Sequence, residues 1–170
     1  MKNNRGYLLL ESVISLSIIM ILSLSLYSIL LFTTNYKETV EDRVELYEQG
    51  EEIEIQVNRL IENSKGIISI NNLVINGSSP YIDVESIKCR YKDENNIKVK
   101  DRELSFKRNK KLFINTLNNG GNSEVGGYEI GDYVDYIGVK VDNNKITIRL
   151  RLSKNDEKYE KVFYSYIREF

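Results

Sequence analysis

Residues 7–35 read YLLLESVISLSIIMILSLSLYSILLFTTN, and this stretch decides the fold of the 170-residue chain. Between Val13 and Phe32 there are 20 consecutive residues without a charge, and 13 of them are Val, Ile, Leu or Phe. A helix needs about 20 such residues to cross the hydrocarbon layer of a membrane. Lys2 and Arg5 precede the stretch, so we expect a single span with the N-terminus in the cytoplasm and the following residues outside.

The composition excludes several catalytic chemistries. The chain has 24 Lys+Arg, 25 Asp+Glu, one Cys and no His, for a net charge of −1. Without His it cannot form a Ser-His-Asp triad or a His-ligated metal site, and a lone Cys89 cannot form an internal disulfide or a thiolate cluster. We therefore predict a protein that is not an enzyme, needs no cofactor and, with this charge balance, binds no nucleic acid.

Glu11 interrupts the apolar sequence between Leu10 and Ser12. An ionised carboxylate there is costly unless it lies at the membrane interface or is paired with a cation. Two interpretations stay open: Glu11 extends to the headgroup level, or it has a partner cation in another molecule.

The first eleven residues resemble the signal of type IV prepilins. Lys2-Asn3-Asn4-Arg5-Gly6 is a short basic leader that ends in Gly, and Tyr7-Leu8-Leu9-Leu10-Glu11 places an aromatic residue first and Glu fifth. The resemblance implies that a membrane-bound prepilin peptidase cuts between Gly6 and Tyr7 and methylates the new amine of Tyr7. It also implies that Glu11 neutralises the N-terminal ammonium of a neighbouring subunit and so sets the register of packed helices. Tyr7 in place of the usual Phe, Leu8 in place of the frequent Thr and a span without Pro depart from the family pattern.

Helical periodicity continues beyond the span to about Ser64, and Gly66 is a plausible stop. The apolar positions that predict the packed face are Val40, Val44, Tyr47, Ile53, Val57 and Leu60. Gly50 predicts a weak point or bend, because glycine costs about 1 kcal/mol relative to Ala in a helix. The acidic cluster Glu48, Glu51, Glu52 and Glu54 is interpreted as a solvated helix face, with a cation site or an assembly surface as alternatives.

From Ile67 onward the periodicity changes to two, which predicts an antiparallel sheet that covers the helix from about Val40 to Leu60. The fold class is α+β, with a long N-terminal helix packed on a C-terminal antiparallel β-sheet head. The predicted strands are 67–70, 73–75, 82–91, 97–99, 103–107, 112–116, 136–141, 145–152 and 162–168. A turn is predicted at Asp142-Asn143-Asn144, a polar loop at 153–160 and a glycine-rich surface loop at 118–131. Asp132 and Asp135 in or beside that loop are too few ligands for calcium.

These predictions divide the chain into a leader (1–6), a transmembrane and filament-core helix (7–35), an amphipathic second half of the helix (36–66) and an extracytoplasmic head (67–170). The head sequence GYEIGDYV at 127–134, followed by ITIRLRL at 146–152, resembles W-type minor pilins and J-type pseudopilins. The resemblance implies a minor pilin or pseudopilin that is built into, or initiates, a type IV pilus or a secretion pseudopilus. Its implied partners are the prepilin peptidase, other pilin or pseudopilin subunits through the N-terminal helix, the membrane and the assembly platform.

Two alternatives remain. The chain could be an unprocessed single-pass anchor for an extracytoplasmic binding domain, in which case Gly6 and Glu11 have no special role. It could also be a competence pseudopilin that handles DNA, although the sequence offers no basic stripe for phosphates.

Overall fold

The computed structural model describes residues 5–72, 80–91 and 99–167 and confirms the α+β fold class. One helix, α1 (Arg5–Glu62), precedes eight strands. The strands are β1 (Ile67–Asn72), β2 (Ile82–Cys89), β3 (Arg102–Lys107), β4 (Lys111–Thr116), β5 (Tyr128–Gly131), β6 (Val134–Asp142), β7 (Lys145–Lys154) and β8 (Glu157–Tyr166). The chain divides into two compact units, Met1–Glu41 and Asp42–Phe170. The predicted strand 73–75 and most of the predicted strand 97–99 lie outside the described residues.

The strands form one antiparallel sheet in the order β5-β4-β3-β2-β6-β7-β8, and β1 also pairs with β2. The β6–β7 hairpin was predictable, because Ile146, Ile148 and Leu150 alternate with polar residues and face the core. Its turn contains Asn143 at φ 52°, a left-handed conformation that Asn tolerates well.

The polar loop predicted at 153–160 is wrong. Residues in this range continue β7 to Lys154 and begin β8 at Glu157, and the two strands remain in register up to the pair of Lys154 with Glu157. The final strand therefore starts five residues before the predicted Val162. The predicted glycine-rich loop also contains the short strand β5.

The helix contributes to the core of the second unit from Leu46 onward. Its buried side chains are Leu46, Ile53, Val57, Leu60 and Ile61, and they pack against inward-facing residues of the sheet such as Ile87, Val139, Leu150 and Phe163. Each fully buried aliphatic side chain of this kind contributes about 1.5–3 kcal/mol relative to an exposed one. Burial of this face holds residues 46–61 of α1 against the sheet.

The packed face of α1 differs from the predicted one in its first half. Val40, Val44 and Tyr47 are exposed, whereas Leu46, which the periodicity argument passed over, is fully buried. The predicted positions Ile53, Val57 and Leu60 are buried as expected. The sequence periodicity identified apolar positions on α1. It could not show which of these positions face the sheet and which face solvent.

The end of α1 is fixed by hydrogen bonds to the strand β2 and its continuation. The helix ends at Glu62, two residues before the predicted Ser64, and Gly66 adopts φ 131°, which permits the change of direction. The amide of Lys65 donates to the carbonyl of Arg90 at 2.7 Å, and the hydroxyl of Tyr91 donates to the carbonyl of Leu60. The bond to Leu60 satisfies one of the carbonyl groups that the C-terminal end of a helix leaves without an intrahelical partner, and the bond from Lys65 ties the segment after the helix to the residue after β2.

Candidate functional site

The N-terminal part of α1 carries the residues singled out by the sequence. Tyr7 and Glu11 lie one helical turn apart, so both project from the same side of α1. Both side chains are exposed. Gly6 belongs to the helix, which begins at Arg5, whereas residues 1–4 of the predicted leader lie outside the described part of the chain. The bond between Gly6 and Tyr7 therefore falls in the first turn of α1.

Most hydroxyl groups of the apolar segment that follows are hydrogen-bonded within the helix. Four of the serines donate to the carbonyl four residues earlier, at 2.8–3.0 Å, and Thr33 and Thr34 do the same. These serines are Ser17, Ser23, Ser25 and Ser28. Every large apolar side chain from Leu8 to Phe32 that the structure describes is exposed. Tyr7–Glu62 contains an apolar stretch long enough to cross a membrane, whereas the orientation of that span stays a prediction.

Comparison of the chain with protein-family models, with curated proteins and with solved structures finds no significant match. The assignment of a function therefore rests on the residues themselves.

Salt bridges join the helix to the β7–β8 hairpin, and no local pattern of residues indicated them. Arg43 Nε lies 2.6 Å from Glu157 Oε2, and Lys154 Nζ lies 2.9 Å from Asp42 Oδ1 and also bonds Glu45. We call this group, together with the pairs of Lys161 described next, the helix–hairpin salt bridges. The amide of Asn155 adds a hydrogen bond to Asp42 at 2.7 Å.

The acidic cluster of the helix is divided between paired and solvated residues. Lys161 Nζ lies 2.5 Å from Glu51 Oε1 and also bonds Glu54, so these two carboxylates are not simply solvated. Glu48 and Glu52 are exposed, as the interpretation of a solvated face expected. The hydrogen bond from Lys161 holds the pKa of Glu51 below its usual value.

Hydrogen bonds also lower the pKa values of carboxyl groups at the start of the second compact unit. Hydrogen bonds from Lys154, and then from Asn155, hold the pKa of Asp42 below its usual value. The bond from Lys154 also lowers the pKa of Glu45. Since deprotonated carboxylates are the forms that these cations bind, these three carboxylates stay paired into the lower part of the usual titration range of Asp and Glu and lose their partners as the pH falls through the lowered pKa values.

Asp132 and Asp135, the two residues considered for calcium, each contact a lysine. Lys110 Nζ lies 2.7 Å from Asp135 Oδ1, and Lys111 Nζ lies 3.6 Å from Asp132 Oδ2. The backbone amide of Asp132 also donates to Gln49 Oε1 at 3.2 Å, which connects the β5–β6 turn to the helix. The two carboxylates therefore take part in contacts that hold the head together.

Proposed function

We propose that this chain is a structural subunit of the type IV pilin and type II pseudopilin class, most similar to its minor subunits. The observation that carries the proposal is the position of Gly6, Tyr7 and Glu11 at the start of one apolar helix. The same helix supplies Leu46 and Ile53 to the core of an α+β head, so one element has both a lipid-compatible part and a head-bound part.

Electrostatics gives Glu11 its proposed role. Cleavage after Gly6 would create an ammonium group on Tyr7, and a carboxylate one turn further along a neighbouring helix would neutralise it. Two unpaired charges in apolar surroundings each cost several kcal/mol, and a pair that forms only at one relative position of two helices fixes their axial register. Prepilin peptidase, neighbouring subunits and the assembly platform are the partners that this proposal requires.

The proposal is tested by the intact mass and N-terminal sequence of the chain. It is isolated from membranes that contain a prepilin peptidase, beside a Gly6→Ala variant. We expect the parent chain to begin at N-methylated Tyr7 and the variant to keep residues 1–6. An Asn4→Ala variant is the matched control, since it changes the leader and leaves the cleaved bond intact, and it should be processed like the parent.

Retention of residues 1–6 by the parent chain in peptidase-competent membranes would overturn the proposal. The chain would then be an anchored extracytoplasmic domain whose Gly6 and Glu11 have no role in assembly. Incorporation is tested separately, by Glu11→Gln: we expect a normally processed chain that enters sheared filaments or pseudopili poorly.

A further inference from the structure

The second compact unit, Asp42–Phe170, carries two exposed surfaces whose chemistry is complementary. The first, the helix face, consists of Val44, Tyr47, Glu48, Glu52 and Ile55, which share one side of α1 by their spacing. Val44, Tyr47 and Ile55 are 50%, 54% and 49% exposed. Most of this side is opposite the buried Leu46 and Ile53 and is not covered by the sheet, and Tyr47 at its edge contacts the ring of Tyr159 in β8. Exposed apolar side chains that align on one side of a helix can mark an interaction surface.

The second surface lies on the side of the sheet that faces away from α1. It consists of Lys140, Lys145, Thr147, Arg149, Val162, Tyr164 and Tyr166, and we call it the outer sheet face. Glu160 lies on the same side of the sheet and pairs with Arg149 and Arg151. Tyr164 and Tyr166 are 50% and 56% exposed. Lys145 Nζ lies 3.8 Å from the centre of the Tyr164 ring, and Arg149 is held by Glu160 at 2.6 Å. The basic groups are thus held beside the exposed rings.

We propose that the helix face of one copy of this chain docks on the outer sheet face of a second copy. On each surface apolar side chains lie beside charged ones, and the carboxylates of Glu48 and Glu52 would meet the cations of Lys140 and Lys145. Opposite charges around an apolar contact select this pairing over others. The inference rests on the proposed function, because assembly of membrane subunits brings copies side by side with the same polarity.

The position of the two surfaces determines what kind of assembly results. They lie on opposite sides of the β6–β7–β8 sheet, so a copy that uses its helix face keeps its outer sheet face available. Contacts between two different surfaces of identical molecules are heterologous and repeat without closing unless the rotation forms a ring. A twofold contact between two helix faces would instead bring Glu48 and Glu52 against their own copies, which like-charge repulsion opposes.

Cysteine crosslinking of the full-length chain in isolated membranes tests the proposal. The variant carries Ile55→Cys on the helix face and Thr147→Cys on the outer sheet face, and a short bifunctional thiol reagent joins them. Cys89 can stay, because it is fully buried and burial raises the pKa of its thiol to about 12. We expect dimers, trimers and larger products whose peptides join position 55 to position 147, whereas neither single variant should form products larger than a dimer.

Charge exchange supplies the second arm of the experiment. Glu48→Lys with Glu52→Lys should lower the crosslink yield about tenfold, as expected for loss of charge complementarity at an interface. Adding Lys140→Glu with Lys145→Glu to that variant should restore it. Arg108→Glu, in the exposed β3–β4 turn, is the matched control and should leave the yield unchanged.

Links only between identical positions, no links at all, or failure of the charge exchange to restore the yield would overturn the inference. Links from position 55 to a different protein would also overturn it, because the occupant would then not be a second copy. N-terminal processing is measured in the same membranes. Cleavage after Gly6 without crosslinked products would leave the proposed function intact and overturn the inference. Crosslinked products without cleavage would support the docking of two copies and overturn the proposed function.

Discussion

Gly50 lies where the helix touches the ring of Tyr159, which approaches so closely that an added Cβ would overlap the ring. The sequence predicted a weak point or bend at this glycine, but α1 continues through it and the absent side chain makes room for the ring. Tyr159 also meets Tyr47 edge to face, with ring centres 5.8 Å apart. Gly50 is therefore a position where α1 packs closely against β8.

Gly50→Ala should destabilise the head although alanine favours helix by about 1 kcal/mol. Overlap with the Tyr159 ring forces repacking, and we expect a net loss of about 1–2 kcal/mol in the free energy of unfolding. Denaturant unfolding of the full chain in detergent measures it. Tyr159→Ala in the same chain removes the overlap, so the effect of Gly50→Ala should change sign in that background. Destabilisation of equal size in both backgrounds would contradict the packing explanation.

Cys89 gives a second test at a single residue. Its side chain is fully buried, and desolvation raises the pKa of its thiol to about 12. Thiolate is the reactive form, so a maleimide should leave Cys89 unmodified in the folded chain at pH 7 and modify it fully in denaturant. Mass spectrometry measures the extent of modification. Rapid modification of Cys89 in the native protein would contradict the prediction, because it would show that the thiol is accessible.

The element that depends most on charge is the part of α1 that the helix–hairpin salt bridges hold. Residues 42–51 of the helix bury Leu46 and Gly50, whereas Ile53, Val57, Leu60 and Ile61 anchor the following turns in the core. Residues 42–51 are therefore held by polar contacts to a larger degree than residues 53–61 are.

Lys161→Ala should loosen this part of the helix, because Glu51 and Glu54 lose their cation. We expect faster amide hydrogen exchange at residues 47–54, equivalent to about 0.5–1 kcal/mol, since partly exposed ion pairs are weak. Lys158→Ala is the matched control, because Lys158 lies on the same strand with its side chain exposed. Equal exchange in the two variants would mean that the salt bridges do not hold the helix.

Acid should also loosen this part of the helix, through Asp42, Glu45 and Glu51. The pKa values of Asp42, Glu45 and Glu51 are lowered in the fold. Their stabilising contribution is therefore complete above the unfolded-state pKa of about 4 and is lost as the pH falls through the folded-state values. Hydrogen exchange at residues 42–51 should increase below about pH 4 relative to that at residues 53–61, and an equal change in both segments would contradict this.

The strands were predictable where one side of each strand is apolar and were missed where both sides carry charge. Ile146, Ile148 and Leu150 identified β7 because they alternate with polar residues on the other side of the strand. The start of β8 was missed because Glu157 and Lys161 face the helix and pair with Arg43, Glu51 and Glu54, more than 100 residues away in the sequence. No local pattern shows that a charged residue has a partner at such a distance.

At the scale of the whole molecule, the second compact unit contains every buried residue of the described core, from Leu46 to Phe163. A fragment of residues 42–170 should therefore unfold in one cooperative transition without lipid or detergent. A fragment of residues 63–170 lacks the helix that covers the inner side of the sheet and should aggregate. Circular dichroism and size-exclusion chromatography compare the two, and a monomeric, folded 63–170 fragment would show that the head does not need the helix.

The candidate site could be identified from the sequence because its residues are local. Gly6, Tyr7 and Glu11 are consecutive or one turn apart, so the helix alone places them together. The helix face and the outer sheet face could not be defined in this way. Their definition requires knowing which side of α1 the sheet covers, and the exposed Val44 and Tyr47 look like core positions in the sequence.

The hydrogen bonds of the serine hydroxyl groups in the apolar segment bear on its transfer from lipid to protein surroundings. Ser17, Ser23, Ser25 and Ser28 are each bonded within α1, so none of them depends on water, lipid or another protein for a partner. Moving this segment from fluid acyl chains to a protein lining would leave each of these bonds in place. For these four groups the transfer carries no desolvation penalty, so they do not favour one of the two environments over the other.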